Sequence, residues 1–182
     1  MKNKVWSFVP YDHGGNIADA YNRYCQFVPD DNDWIIFWDA DFMVLTPKYE
    51  QLMVEVAEKN PQYSLWTIYT NRVTCRPQLI KSLFEEADLR KHREKALELY
   101  ENYTYSVKDI HRSISGYCMM FKKKTWKKFG FSGKGLLGTD TIFSNKIRAN
   151  GGKIGLMEGI YGFHYYRFLE TVNFEPYKSK KK

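Results

Sequence analysis

The stretch that most constrains the fold is Asp33 to Pro47, DWIIFWDADFMVLTP. Trp34 to Trp38 is an unbroken apolar run, the pattern of a buried strand. It stops at Asp39-Ala40-Asp41, and the chain turns apolar again before Thr46-Pro47. Two carboxylates one residue apart repel each other and are stable together only where water or a cation compensates them. In a parallel α/β sheet, ligands collect at the carboxyl ends of strands. A strand ending in an acid pair therefore suits a divalent cation that also holds a diphosphate. The plainer alternative is an acidic turn flanking a strand.

The rest of the chain alternates strand and helix patterns, which predicts an α/β architecture. Val5 to Pro10 reads as a short strand stopped by proline, and Asn16 as the cap of a helix to about Phe27. Thr46 and Pro47 read as N-cap and first residue of a helix to Lys59, burying Leu52, Met53, Val56 and Tyr49. Residues 63–70 form a third strand. Pro77 to Glu101 is a charged helical stretch, one bent helix or two, and Tyr100 to Arg112 reads as a mobile loop. Residues 115–123 are another strand. Gly138-Thr139-Asp140 opens a helix with Ile142, Phe143 and Ile147 facing inward, closed by Gly151-Gly152. KIGLM and IYGFHYYR read as two final strands.

At 182 residues the chain suits one domain, able to bury roughly 70% of its unfolded surface. We assign residues 1–176 to that domain, with 77–112 on the acceptor side, and 177–182 to a basic tail. Four of the charges behind the net +7 are Lys178, Lys180, Lys181 and Lys182. That tail offers peripheral contact with an anionic membrane, or is simply a solvated end. Without it the body is only mildly basic, and the aromatics sit in apolar strands rather than between lysines and arginines, which argues against nucleic acid. No apolar run approaches the roughly 20 residues of a membrane span. The three cysteines, Cys25, Cys75 and Cys118, are odd in number and widely spaced, and no export signal is visible. Free thiols and a cytoplasmic location are expected.

Two further residues carry chemistry. Asp140 lies in the first turn of a helix, where the dipole and free N–H groups favour a carboxylate, as a general base requires. His164, in GIYGFHYYR, is a candidate ligand for a transition metal such as Mn2+. Each has a plain reading too, as a helix-start acid and a hydrogen-bonded histidine among aromatics. His13, His92 and His111 have weaker claims, His92 because it falls on a charged helix face.

In order, SFVPYD, NIADAYN, DWIIFWDAD, SGYCMMFKK, GTDTIFSNKI and YGFHYYR resemble the GT-A fold of glycosyltransferases, in particular inverting family 2. The similarity covers most of residues 5 to 168. It implies a Rossmann-like mixed sheet flanked by helices. It also implies a DxD pair, with Asp41 on Mn2+ or Mg2+ and Asp39 toward the ribose or reaching the metal through water. His164 would be a further metal ligand and Asp140 the catalytic base. Pro10, Tyr11 and Asp12 would border the nucleotide base, and Asn16 and Asn22 would add polar contacts. Ser115, Gly116 and Trp66 would line the donor and acceptor pocket. Arg167, Lys122 or Lys134 would assist the diphosphate.

The chain departs from the family in two ways. The interval from Pro10 to Asp39 lacks a further strand–helix–strand, so this is a shortened version. The base position holds one acid, since Thr139 precedes Asp140. No Gln-x-x-Arg-Trp element is present, which argues against a processive polysaccharide synthase.

The implied activity is inverting transfer of a sugar from a UDP- or GDP-type donor to a hydroxyl on a glycan, lipid-linked or other acceptor. Two alternatives stay open. One is a nucleotidyltransferase making nucleotide sugars, although YDHGGN lacks the usual glycine-rich pattern followed by a basic residue. The other is a non-catalytic sugar- or nucleotide-binding module of a larger protein.

Overall fold

The structure, a computed structural model, describes residues 3–166. The first half of the chain forms strand β1 (Val5–Phe8), helix α1 (Ile17–Phe27), β2 (Trp34–Trp38), β3 (Phe42–Val44), α2 (Tyr49–Lys59) and β4 (Tyr63–Thr70). Then come α3 (Leu89–Tyr103), β5 (Val107–Asp109), β6 (Cys118–Lys122), α4 (Lys123–Phe129), α5 (Thr139–Ala149) and β7 (Lys153–His164). The seven strands make one mixed sheet in the order β1-β2-β6-β4-β7-β3, with β5 also paired to β7. β1 runs parallel to β2 and β4 parallel to β7, while β6 lies antiparallel between β2 and β4.

The unbroken apolar run of β2 has a direct cause. Ile35 and Phe37 face one layer, where they meet Tyr21 of α1 and Phe143 and Ile147 of α5. Trp34, Ile36 and Trp38 face the other layer, with Leu52, Met53 and Val56 of α2. Both faces are covered, so alternation has no use here, and all five residues are buried. The strand can end only where the cover ends, at Asp39. A third, smaller cluster seats α3 against β7 through Leu83, Ala96, Leu99 and Tyr161.

The α/β architecture with a mixed sheet flanked by helices agrees with the sequence reading, and several local expectations are corrected. Thr46 is not a helix cap. Its hydroxyl accepts from Tyr161 N–H at 2.9 Å, and α2 starts after Lys48, which has φ 51°. Residues 76–83 form two short 3₁₀ turns rather than helix, because Leu79 is drawn into a bridge with Thr70 of β4. The true helix start is Asp88, whose carboxylate accepts from Arg90 N–H at 2.9 Å. Residues 100–112 are not a loop: α3 runs to Tyr103, and β5 pairs with β7. Ile142 is 37% exposed, so only Phe143 and Ile147 carry the inner face of α5.

The two expected final strands are one strand, β7, interrupted by a bulge. Ile68 pairs with Met157, yet Tyr69 pairs with Tyr161, so three residues of β7 pass without a counterpart on β4. An odd insertion swaps the faces of everything after it. The bulge therefore determines which way His164 points.

Candidate metal centre and its cavity

Sheet pairing assembles an acidic cluster from opposite ends of the chain. After Asp39 the chain makes a tight turn, with Phe42 N–H donating to Asp39 C=O at 3.2 Å. It then folds back as β3 onto β7, where Phe42 pairs with His164. Tyr165 N–H closes the turn on Asp41 C=O at 2.9 Å. The result places His164 Nε2 3.2 Å from Asp41 Oδ1 and 3.7 Å from Asp39 Oδ2. One ligand atom from each of the three side chains lies within 4.8 Å of the others.

The imidazole is held in one orientation. Its Nδ1–H donates to the Arg72 carbonyl at 2.9 Å, and His164 N–H donates to Asn71 Oδ1 at 2.8 Å. A carbonyl can only accept, so Nδ1 carries the proton and a neutral ring turns the Nε2 lone pair toward two carboxylates. That contact is repulsive unless a proton or a metal ion lies between. The backbone-fixed tautomer is the usual outer shell of a histidine ligand. His164 is buried at 5% exposure, whereas the Asp39 and Asp41 side chains keep 43% and 44%. The cluster is thus rigid at its base and open at its mouth. One imidazole nitrogen and two carboxylates could hold a divalent metal ion.

The electrostatics agree. Partial burial pushes the Asp39 carboxyl up to about 6. His164 opposes that rise, while Asp41 and Asp140 add to it. Asp41 is held below the usual carboxylate range, first by the hydrogen bond that it accepts when His164 Nε2 also carries a proton. Three acids crowd one region with one histidine to offset them.

Asp39 and His164 also line a cavity of about 180 Å³, and Ser115, Gly116 and Asp140 line it too. Asp140 sits at the start of α5, one residue after Thr139 and two after Gly138, whose φ of 85° suits a glycine. Gly116 packs directly on it: a Cβ built there would lie 3.0 Å from Asp140 Cβ and 3.4 Å from Oδ2. The Ser115–Gly116 backbone is fixed by Gln78, a fully buried residue that sequence reasoning passed over. Its Oε1 accepts from Ser115 N–H at 2.8 Å, and its Nε2 donates to Ser115 C=O at 3.1 Å and Thr67 Oγ1 at 2.7 Å. Asn71 was missed in the same way. Both are polar residues in a turn-rich stretch whose partners lie far along the chain.

Other predicted site residues fall elsewhere. Trp66 is fully buried in the α2-side core and does not line this cavity, a correction. Asn22 is not free for a nucleotide. Its Oδ1 accepts from Trp126 Nε1 and Phe131 N–H, and its Nδ2 donates to Phe131 C=O. Pro10, Tyr11, Asp12 and Asn16 follow β1 at the same end of the sheet as Asp39, outside the cavity lining. Asp12 is engaged with Asn16 N–H and the Arg23 guanidinium, which hold its carboxyl below its ordinary range. Tyr11 is 69% exposed.

Lys122 pairs with Trp34, at the opposite end of β2 from Asp39, and so cannot serve a diphosphate there. Lys134 lies on the loop before Gly138 and is not among the residues that line the cavity. Arg167 and the tail 177–182 lie outside the described residues. His92 is buried, not on a charged face, with Nδ1 2.6 Å from the Tyr161 hydroxyl. Cys25, Cys75 and Cys118 are buried free thiols. No helix among the described residues is long and apolar enough to cross a membrane. Residues 77–112 contribute nothing to the cavity lining.

No protein-family model matches the sequence, and no curated protein matches it.

Proposed function

We propose that the protein is a metal-dependent glycosyltransferase of GT-A-like architecture. It would move a sugar from a nucleoside-diphosphate donor to an acceptor hydroxyl with inversion. The observation that carries this reading is the single cavity whose wall holds Asp39 and His164 of the acidic cluster together with the lone acid Asp140. A binding module has no need of a separate carboxylate there, whereas a displacement reaction needs a base set apart from the leaving group. The cavity volume suits one sugar ring rather than a whole nucleotide sugar, which would leave the nucleotide at the open mouth near Asp41.

Asp39, Asp41 and His164 would hold the cation. Mn2+ or Mg2+ bound there supplies Lewis-acid stabilisation of charge on a departing diphosphate. Asp140 takes the proton from the acceptor hydroxyl. That oxygen bonds to the anomeric carbon from the face opposite the nucleotide. The bond to the diphosphate oxygen breaks, and its electron pair leaves with the nucleoside diphosphate. Gly116 and Gln78 keep Asp140 and the cavity floor in place, which is where positioning contributes to rate.

The test is nucleotide release from a panel of UDP- and GDP-sugars with Mn2+ and simple glycoside acceptors. Asp140→Asn should lower transfer by roughly 10²- to 10⁴-fold while leaving Mn2+ binding intact. Transfer that survives Asp140→Asn overturns the assignment of the base.

A further inference from the structure

The cavity has a second character on the side facing Asp140. Leu136 and Leu137 line it, and they are 67% and 86% exposed. They stand between Gly135 and Gly138, both at positive φ, 79° and 85°, in the turn that leads into α5. Gly135 C=O accepts from Ile17 N–H at 3.2 Å, which ties the turn to the start of α1, and Ile17 lines the same cavity. Asp140, two residues after Gly138, lines the same cavity as these side chains. Apolar side chains this exposed, on the wall of a cavity that also holds Asp39, Asp140 and His164, gain only from a ligand with apolar surface of its own.

Building on the glycosyltransferase reading, we propose that the acceptor is amphipathic. Its hydroxyl-bearing head enters the cavity toward Asp140, and an alkyl or aryl aglycone lies over Leu136, Leu137 and Ile17. A free sugar would fill the polar part and leave the leucines in water.

The test measures binding of methyl and octyl β-D-glucopyranoside by calorimetry, below the micelle concentration and without donor. Each methylene removed from water tightens binding about fourfold, so about three methylenes over the leucines predict roughly fiftyfold preference for the octyl compound. The double variant Leu136→Ser/Leu137→Ser should bring the two affinities together with unchanged Mn2+ binding. Leu137→Ser alone, at the more exposed position, should halve the logarithm of the preference if the double variant folds poorly.

Equal affinities in the wild type, or a preference that both variants retain, overturn the proposal. So does binding to phosphatidylcholine vesicles, lost in the variants, with no preference between the soluble glycosides. That result assigns the turn to a membrane surface. A preserved octyl preference in a protein that releases no nucleotide from any donor would instead sink the glycosyltransferase reading and leave the apolar subsite standing.

Discussion

Substituting Gly116 by alanine separates positioning from folding. The added methyl would lie 3.0 Å from Asp140 Cβ and 3.4 Å from Oδ2, and Asp140 supplies all three of its nearest neighbours. Carbon atoms rest at about 3.5–4.0 Å, so Asp140 must retreat by roughly 0.5–1 Å. A misplacement of about 1 Å at a reacting group can cost roughly 10²-fold in rate. We expect transfer to fall roughly 10- to 100-fold in Gly116→Ala. Stability should fall by about 1–3 kcal/mol, the ordinary cost of overpacking, because the nearest atom is Asp140 Cβ, which moves only with the start of α5. The assay pairs nucleotide release with a urea melt and a Mn2+ titration. A wild-type rate would refute the contact's role. A parallel loss of stability and Mn2+ binding would show that the glycine serves the fold rather than Asp140.

Two variants probe the shell behind the site. Gln78→Leu strands the Ser115 N–H and C=O and the Thr67 hydroxyl; at about 1–3 kcal/mol for each of these three groups, a urea melt should show a loss of roughly 3–9 kcal/mol, toward the low end because the Ser115 groups are only partly buried, and an unchanged midpoint would deny the clamp. Asn71→Ala removes the acceptor of His164 N–H and should weaken Mn2+ binding about 10- to 100-fold; retained affinity would mean that the Arg72 carbonyl alone orients the ring.

The parts of this molecule legible in its sequence are those with local causes. β2 reads directly because both its faces are covered, and β4 was expected at residues 63–70, where it lies. The acid pair is legible because its repulsion is a matter of adjacent residues. The start of α5 reads from Gly138 and Asp140 for the same reason.

What escaped depends on distant partners. Thr46 looks like a cap, but its hydroxyl is claimed by Tyr161 across 115 residues. Leu79 and Leu83 have near-helical spacing, yet Leu79 is pulled to β4. Glu158-Gly159 in an apolar run reads as a break between strands. The Glu158 carboxylate instead takes hydrogen bonds from the Tyr69 and Ser106 hydroxyls, which hold the bulge in one continuous strand. Trp66, in an aromatic strand near the site, reads as a pocket residue and is core. Asn71 and Gln78 carry no local pattern at all, since their work is done 93 and 37 residues away.

Under the proposed function, Asp39, Asp41 and His164 bind a divalent cation that in turn holds a nucleoside diphosphate. Calorimetric titration with UDP and with GDP, each in Mn2+ and in EDTA, tests it most directly. One nucleotide should bind, with binding that needs Mn2+, vanishes in Asp41→Ala and weakens in His164→Ala. Equal binding in EDTA, or binding that survives Asp41→Ala, would contradict it and return Asp39 and Asp41 to an acidic turn.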